Sequence, residues 1–109
     1  MNAPPIGLGM DAGGTRTRWA LADASRQLLG SGEAPGMTAL QMNTDAGRDH
    51  IRAVLRAIMD ALPKGVLPGQ VCAGITGHTE GGASLAALIA SQCGLDPAAV
   101  SLRSDIEIA

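Results

Sequence analysis

Residues 7–23, GLGMDAGGTRTRWALAD, decide how the rest of the chain is read. Glycines crowd around a single acid, Asp11, and two threonines then alternate with two arginines. From Thr17 the pattern is strand-like: Thr17, Trp19 and Leu21 share one face, and Arg18, Ala20 and Ala22 share the other. Before it, the short apolar run 6–10 predicts a buried strand. After it, DASRQ is a polar break suited to a hairpin loop, and 27–33 predicts a third strand weakened by its glycines. The chain therefore opens as an antiparallel meander, with residues 16–22 as its second strand.

Working outward, PGMTALQMN reads as a loop and 45–62 as a helix. Ile51, Val54, Leu55, Ile58 and Leu62 recur at helical spacing, Thr44 or Asp45 can cap the start, and Pro63 with Gly65 ends it. QVCAGIT predicts a buried strand and GHTEGG a turn. Residues 84–93 predict a second helix with Gly94 past its end, and AVSLRSD a last strand. The order is β-β-β-α-β-α-β, an α/β domain with a five-stranded mixed sheet. The final SDIEIA stops where a further element should begin, so the chain reads as the front piece of something longer.

Composition narrows the function classes. The 109 residues include one aromatic, Trp19, so the core must come from Ala, Leu, Ile, Val and Met, and the chain reads as marginal alone. Self-association, including a homodimer, would hide what it leaves open. A net charge of −2 argues against a nucleic-acid or anionic-membrane surface. Cys72 and Cys93 are too few for a disulfide framework and lack metal spacing, which suits buried thiols in a reducing compartment. With no secretory leader pattern and no apolar run long enough to span a bilayer, the expected location is the cytoplasm.

Three mechanisms bring glycines to a phosphate. The dinucleotide fingerprint fits Gly7, Gly9 and Ala12 by letter, but it needs a helix next and finds GGTRTRWALAD. The P-loop fits the spacing of Gly9 and Gly14, but its lysine and its helix are missing. A tight hairpin between two strands fits every part. Its glycines permit positive φ and close approach of backbone N–H groups to phosphate, its acid can hold Mg²⁺ through water, and its threonine hydroxyls can reach phosphate oxygens. An ordinary Gly-rich hairpin with Asp11 as a turn former accounts for the same letters.

GMDAGGTRTRWALAD resembles the first phosphate motif of the actin-like ATPase superfamily, which includes sugar kinases, Hsp70 and actin. The chain is most similar to its N-acetylglucosamine kinase and BadF/BadG-type ATPase family. Asp11, Gly13, Gly14, Thr15, Arg16 and Thr17 fill the family's Asp, Gly-rich, Thr-Lys-Thr order, with Arg16 in place of lysine. The resemblance implies a ribonuclease H-like, actin-type ATPase domain. It also implies ATP as phosphoryl donor, held by Gly13, Gly14, Thr15, Arg16 and Thr17, with Mg²⁺ organised by Asp11. Gly74, Ile75, Thr76 and Gly77 match a turn that lies beside the sugar in family kinases, although a plain strand-to-helix turn fits as well. Thr38 stands where many of those kinases carry a sugar-binding Asn. Asp105, in RSDIEIA, stands where they carry the general base, with Ser104 and Ile106 departing from the Asn-Asp-Ala pattern; a helix-capping aspartate fits the same position.

The implied reaction is phosphoryl transfer from ATP to an amino sugar, with the adenosine pocket supplied by a second domain absent from these residues. Two rivals stand beside it. One is an ATPase that activates an acyl-CoA dehydratase or reductase through cysteine-bound iron–sulfur, for which neither Cys72 nor Cys93 is suited. The other is a non-catalytic nucleotide- or sugar-binding module.

Overall fold

The computed structural model describes residues 6–75 and 82–103. Five strands form one sheet: β1 (Gly7–Ala12), β2 (Arg16–Ala22), β3 (Leu28–Pro35), β4 (Gln70–Ile75) and β5 (Val100–Arg103). Two α-helices, α1 (Asp45–Ala61) and α2 (Gly82–Cys93), connect β3 to β4 and β4 to β5. The strand order is β3-β2-β1-β4-β5. The meander is antiparallel, and the β1–β4 and β4–β5 ladders are parallel. This is the mixed α/β sheet expected from the order of apolar periods.

Alternation along the strands sorts the two faces. Leu8, Met10 and Ala12 of β1, Trp19 and Leu21 of β2, and Val71, Ala73 and Ile75 of β4 are buried. They form one core with Ile51, Val54, Leu55 and Ile58 of α1 and Leu85 and Ile89 of α2. The glycines that weaken β3 have a packing reason: a Cβ on Gly32 would stand 2.8 Å from the Trp19 ring, so the indole lies over bare backbone. The opposite face, along Gly7, Gly9, Cys72 and Ser101, lines an open groove of about 420 Å³.

Helix α1 starts as its sequence suggests, with the Thr44 hydroxyl accepting from the Gly47 N–H at 2.9 Å. Its solvent side carries the pairs Arg48–Asp45 and Arg52–Asp49, each three residues apart. Helix α2 carries no Asp, Glu, Lys or Arg and ends before Gly94, whose φ of +70° permits the reversal into Leu95. In the β2–β3 turn, Asp23 accepts from the Ser25 and Gln27 N–H groups through Oδ1, and Arg26 takes the left-handed conformation at φ 64°.

Two boundaries differ from expectation in a way that concerns function. Strand β1 reaches two residues further than its apolar run, because Asp11 and Ala12 pair with both Arg18 and Thr17 of β2 and Gly74 and Ile75 of β4. The expected loop after β3 contains a 3-10 helix, Ala39–Asn43. Among the described residues no helix is long and apolar enough to cross a membrane.

Candidate phosphate-binding site

Strands β1, β4 and β5 run in parallel, so their C-terminal ends share one edge of the sheet. Open α/β sheets bind ligands at that edge. The β1–β2 hairpin turns there, over Gly13, Gly14 and Thr15, and the Gly13 N–H closes it on the Arg16 carbonyl at 3.0 Å. An open depression of about 390 Å³ lies against it, lined by Asp11, Gly13, Thr15, Arg16 and Arg18.

The hairpin glycines do not take positive φ; among the described glycines only Gly65 and Gly94 do. The expectation that the turn itself needs them is thus corrected, since three residues span the strands with ordinary backbone angles. Nor does packing need them there. A Cβ on Gly14 would meet nothing within 4 Å, and one on Gly13 would sit 3.7 Å from the Arg16 carbonyl oxygen. What their bareness leaves is exposed backbone at the lip of the depression.

Asp11 is exposed at the end of β1 and makes no ion pair among the described residues. A lone carboxylate of this kind suits Mg²⁺, which keeps most of its waters and takes its remaining ligands from phosphate. Among the described residues no group of three His, Cys, Asp or Glu side chains gathers to hold a metal.

Arg16 reaches Glu33 of β3 at 3.4 Å, and Arg18 stands 4.0 Å from the same carboxylate. Thr17 departs from its expected role. It is fully buried, and its hydroxyl donates to the Pro35 carbonyl at 2.9 Å. The hydroxyl expected to meet phosphate instead ties the end of β3 to β2, because Thr17 shares the inward face of Trp19 and Leu21.

Sequence reasoning missed the segment that backs the hairpin. After Pro35 the chain passes so close to the turn that a Cβ on Gly36 would stand 2.5 Å from the Gly13 and Gly14 carbonyl oxygens. The Met37 N–H donates to the Gly13 carbonyl at 3.0 Å, and the Met37 side chain is buried. His50 of α1 completes the arrangement, with Nε2 2.7 Å from the Gly36 carbonyl oxygen. Thr38 comes next along the chain, its N–H donating to Oε1 of Gln41 at 2.8 Å. Backbone contact thus brings the expected sugar loop to the glycine hairpin.

Thr76, Gly77 and Asp105 lie outside the described residues. Register gives the points from which their segments depart: Ile75 pairs with Ala12 beside the hairpin, and Arg103 pairs with Gly74. Both cysteines are free. Cys93 is buried, which pushes its thiol pKa up, and Cys72 is half-buried in β4.

No family model and no curated relative matches the chain. Among solved structures it is similar to a provisional N-acetylglucosamine kinase from Chromobacterium violaceum. That match has 23% identity and a TM-score of 0.55, covering 91% of this chain and 34% of that one. It is similar to the ethanolamine utilization protein EutJ from Carboxydothermus hydrogenoformans, with 16% identity, a TM-score of 0.55, and 93% and 37% coverage. It is also similar to a glucokinase from Balamuthia mandrillaris solved with glucose, with 20% identity, a TM-score of 0.52, and 92% and 29% coverage. The chain spans about a third of the length of each. At these identities the likeness is one of fold, and the fold is that of the actin-like ATPases and sugar kinases.

Proposed function

We propose that this chain forms the first half of a cleft that transfers the γ-phosphoryl group of ATP to a sugar hydroxyl, with an amino sugar of the N-acetylglucosamine or glucosamine type as acceptor. The observation that carries this reading is the bare glycine hairpin beside an unpaired Asp11, at the ligand-binding edge of an actin-like fold. Phosphoryl transfer asks for positioning and charge neutralisation more than for covalent chemistry. The backbone of Gly13, Gly14 and Thr15 and the Thr15 hydroxyl offer donors to the phosphates. Asp11 is the residue to hold Mg²⁺ through water, and that cation would neutralise charge on the transferred group. Arg16 adds a positive charge once it leaves Glu33. Thr17 acts behind the hairpin rather than on the ligand.

Thr38, Thr76 and Gly77 are assigned to the acceptor. Asp105 is assigned to take the proton from the attacking hydroxyl, a role typically worth about 10²–10⁴ in rate. The adenosine pocket belongs to a second domain. Two of the structural neighbours are named as sugar kinases, which supports the acceptor class. EutJ matches equally well in fold and is named for ethanolamine utilization, which keeps a nucleotide-binding module without sugar chemistry as the second reading.

The test is ADP release by the full-length protein with Mg·ATP, alone and with N-acetylglucosamine, glucosamine or glucose. Sugar-dependent release is expected, abolished by Asp105→Asn. Binding of Mg·ATP without turnover on any sugar would favour the module, and sugar-independent hydrolysis would favour the ATPase activator.

A further inference from the structure

We propose that His50 is a positioning residue for the phosphate hairpin, acting through the backbone of Gly36; the nucleotide half of this proposal rests on the phosphoryl-transfer reading above. The Gly36 carbonyl can only accept, so the 2.7 Å contact requires a proton on Nε2 of His50, and the ring donates. Gly36 in turn lies on the hairpin without room for a methyl group between them. Its neighbours bond to either side: Met37 N–H to the Gly13 carbonyl, and the Pro35 carbonyl to the Thr17 hydroxyl. One link therefore joins α1 to the segment Pro35-Gly36-Met37, and three join that segment to the β1–β2 hairpin and the start of β2.

Helix α1 does not need the bond for its own seating. Ile51, Val54, Leu55 and Ile58 bury it against the sheet, and Thr44 caps it. The hairpin does need a support, because its tip is exposed at Gly14 and Thr15 and its backbone is backed by Gly36. A tip of bare backbone can present N–H groups at fixed positions only if something behind it is rigid, and small misplacements at such sites are costly. His50 joins a helix seated by four buried side chains to the segment behind that tip. Because Thr38 continues directly from Met37, the same support also fixes the start of the proposed acceptor loop.

The experiment uses the full-length protein with His50→Ala, His50→Leu and His50→Gln. The leucine fills the volume without a donor and serves if the alanine variant fails to fold; the glutamine restores an N–H donor of similar reach. Hydrogen exchange should show the Gly13 and Met37 amides opening faster in the alanine and leucine variants, with the amides of 54–58 in α1 unchanged. Mg·ATP affinity should fall about fivefold to tenfold in both, as expected for one lost hydrogen bond, and should return in His50→Gln. Unchanged exchange at Gly13 and Met37 would overturn the support itself. Faster exchange there with unaltered Mg·ATP affinity would overturn the positioning role. If the wild-type protein bound no Mg·ATP, the phosphoryl-transfer reading would fall and take the nucleotide half with it, while the exchange data would still decide the mechanical half.

Discussion

The glycines of the β1–β2 hairpin and two that follow β3, Gly36 in the connection and Gly47 in the first turn of α1, look alike in sequence and differ in what surrounds them. At Gly36 and Gly47 a Cβ would collide with backbone, at 2.5 Å from the Gly13 carbonyl oxygen and 2.0 Å from the Gln41 carbonyl oxygen. At Gly13 and Gly14 it would collide with nothing. The first pair is demanded by the packing of the chain on itself. The second pair has no such demand, and on the proposed phosphoryl-transfer reading its bareness serves a ligand that approaches the backbone closely at the open depression beside it. Asking what an added methyl group would touch therefore separates glycines that the fold requires from glycines that it does not.

The sharpest break of that comparison is Gly36→Ala. The hairpin or the connection must move, and a loss of about 3 kcal/mol is expected, as for overpacking at a closed site. Trp19, as the sole aromatic residue, reports unfolding by its emission without interference. An unaltered melting temperature would show that the two segments slide apart at no cost. Gly47→Ala should cost less, about 2 kcal/mol, because alanine in a helix returns roughly 1 kcal/mol of what the collision with Gln41 takes. Thr17→Val keeps the shape and leaves the Pro35 carbonyl without its donor, for an expected loss of about 1–2 kcal/mol in the same melt. Gly14→Ala should change stability by no more than about 0.5 kcal/mol, while Mg·ATP affinity of the full-length protein drops. A variant that melts early yet binds nucleotide normally would reverse the assignment. Least of all, Glu33→Gln should leave stability nearly untouched, since its pairs with Arg16 and Arg18 are more than half exposed. Freed from that carboxylate, Arg16 should tighten Mg·ATP binding modestly, as titration calorimetry would read.

Much of this architecture is legible in the residues because it rests on local periodicity. The 3.6-residue spacing of Ile51, Val54, Leu55 and Ile58 defines α1, and the two-residue alternation in β2 defines its inner face. That alternation already groups Thr17 with Trp19 and Leu21, so its burial was readable, although the motif pointed to phosphate. Other features depend on partners distant in sequence. Asp11 belongs to β1 only because β2 and β4 flank it on both sides, and an apolar run cannot show that. The 3-10 helix at Ala39–Asn43 is too short for a period to emerge. The contact of His50 with Gly36 joins residues fourteen apart through a turn of chain whose path is set by packing on the hairpin. Of the candidate site, the letters GMDAGGTRT gave the hairpin and its acid; the segment behind them, Pro35-Gly36-Met37, carries no motif.

The sheet also sets an order of events in time. Strands β1 to β3 meet their partners across short turns, whereas the β1–β4 ladder pairs Gly7 with Gln70 and must wait for everything between them. Closing so long a stretch is entropically costly before any contact rewards it, and parallel pairing of this kind is slow. The meander is thus expected to collect first, with α1 docking against it and β4 arriving last. Since the candidate ligand edge is completed only when β4 aligns with Ala12, the edge should come into being in the final, slowest phase of folding. Refolding followed at Trp19, which sits in the early meander, should then run ahead of recovery of nucleotide binding.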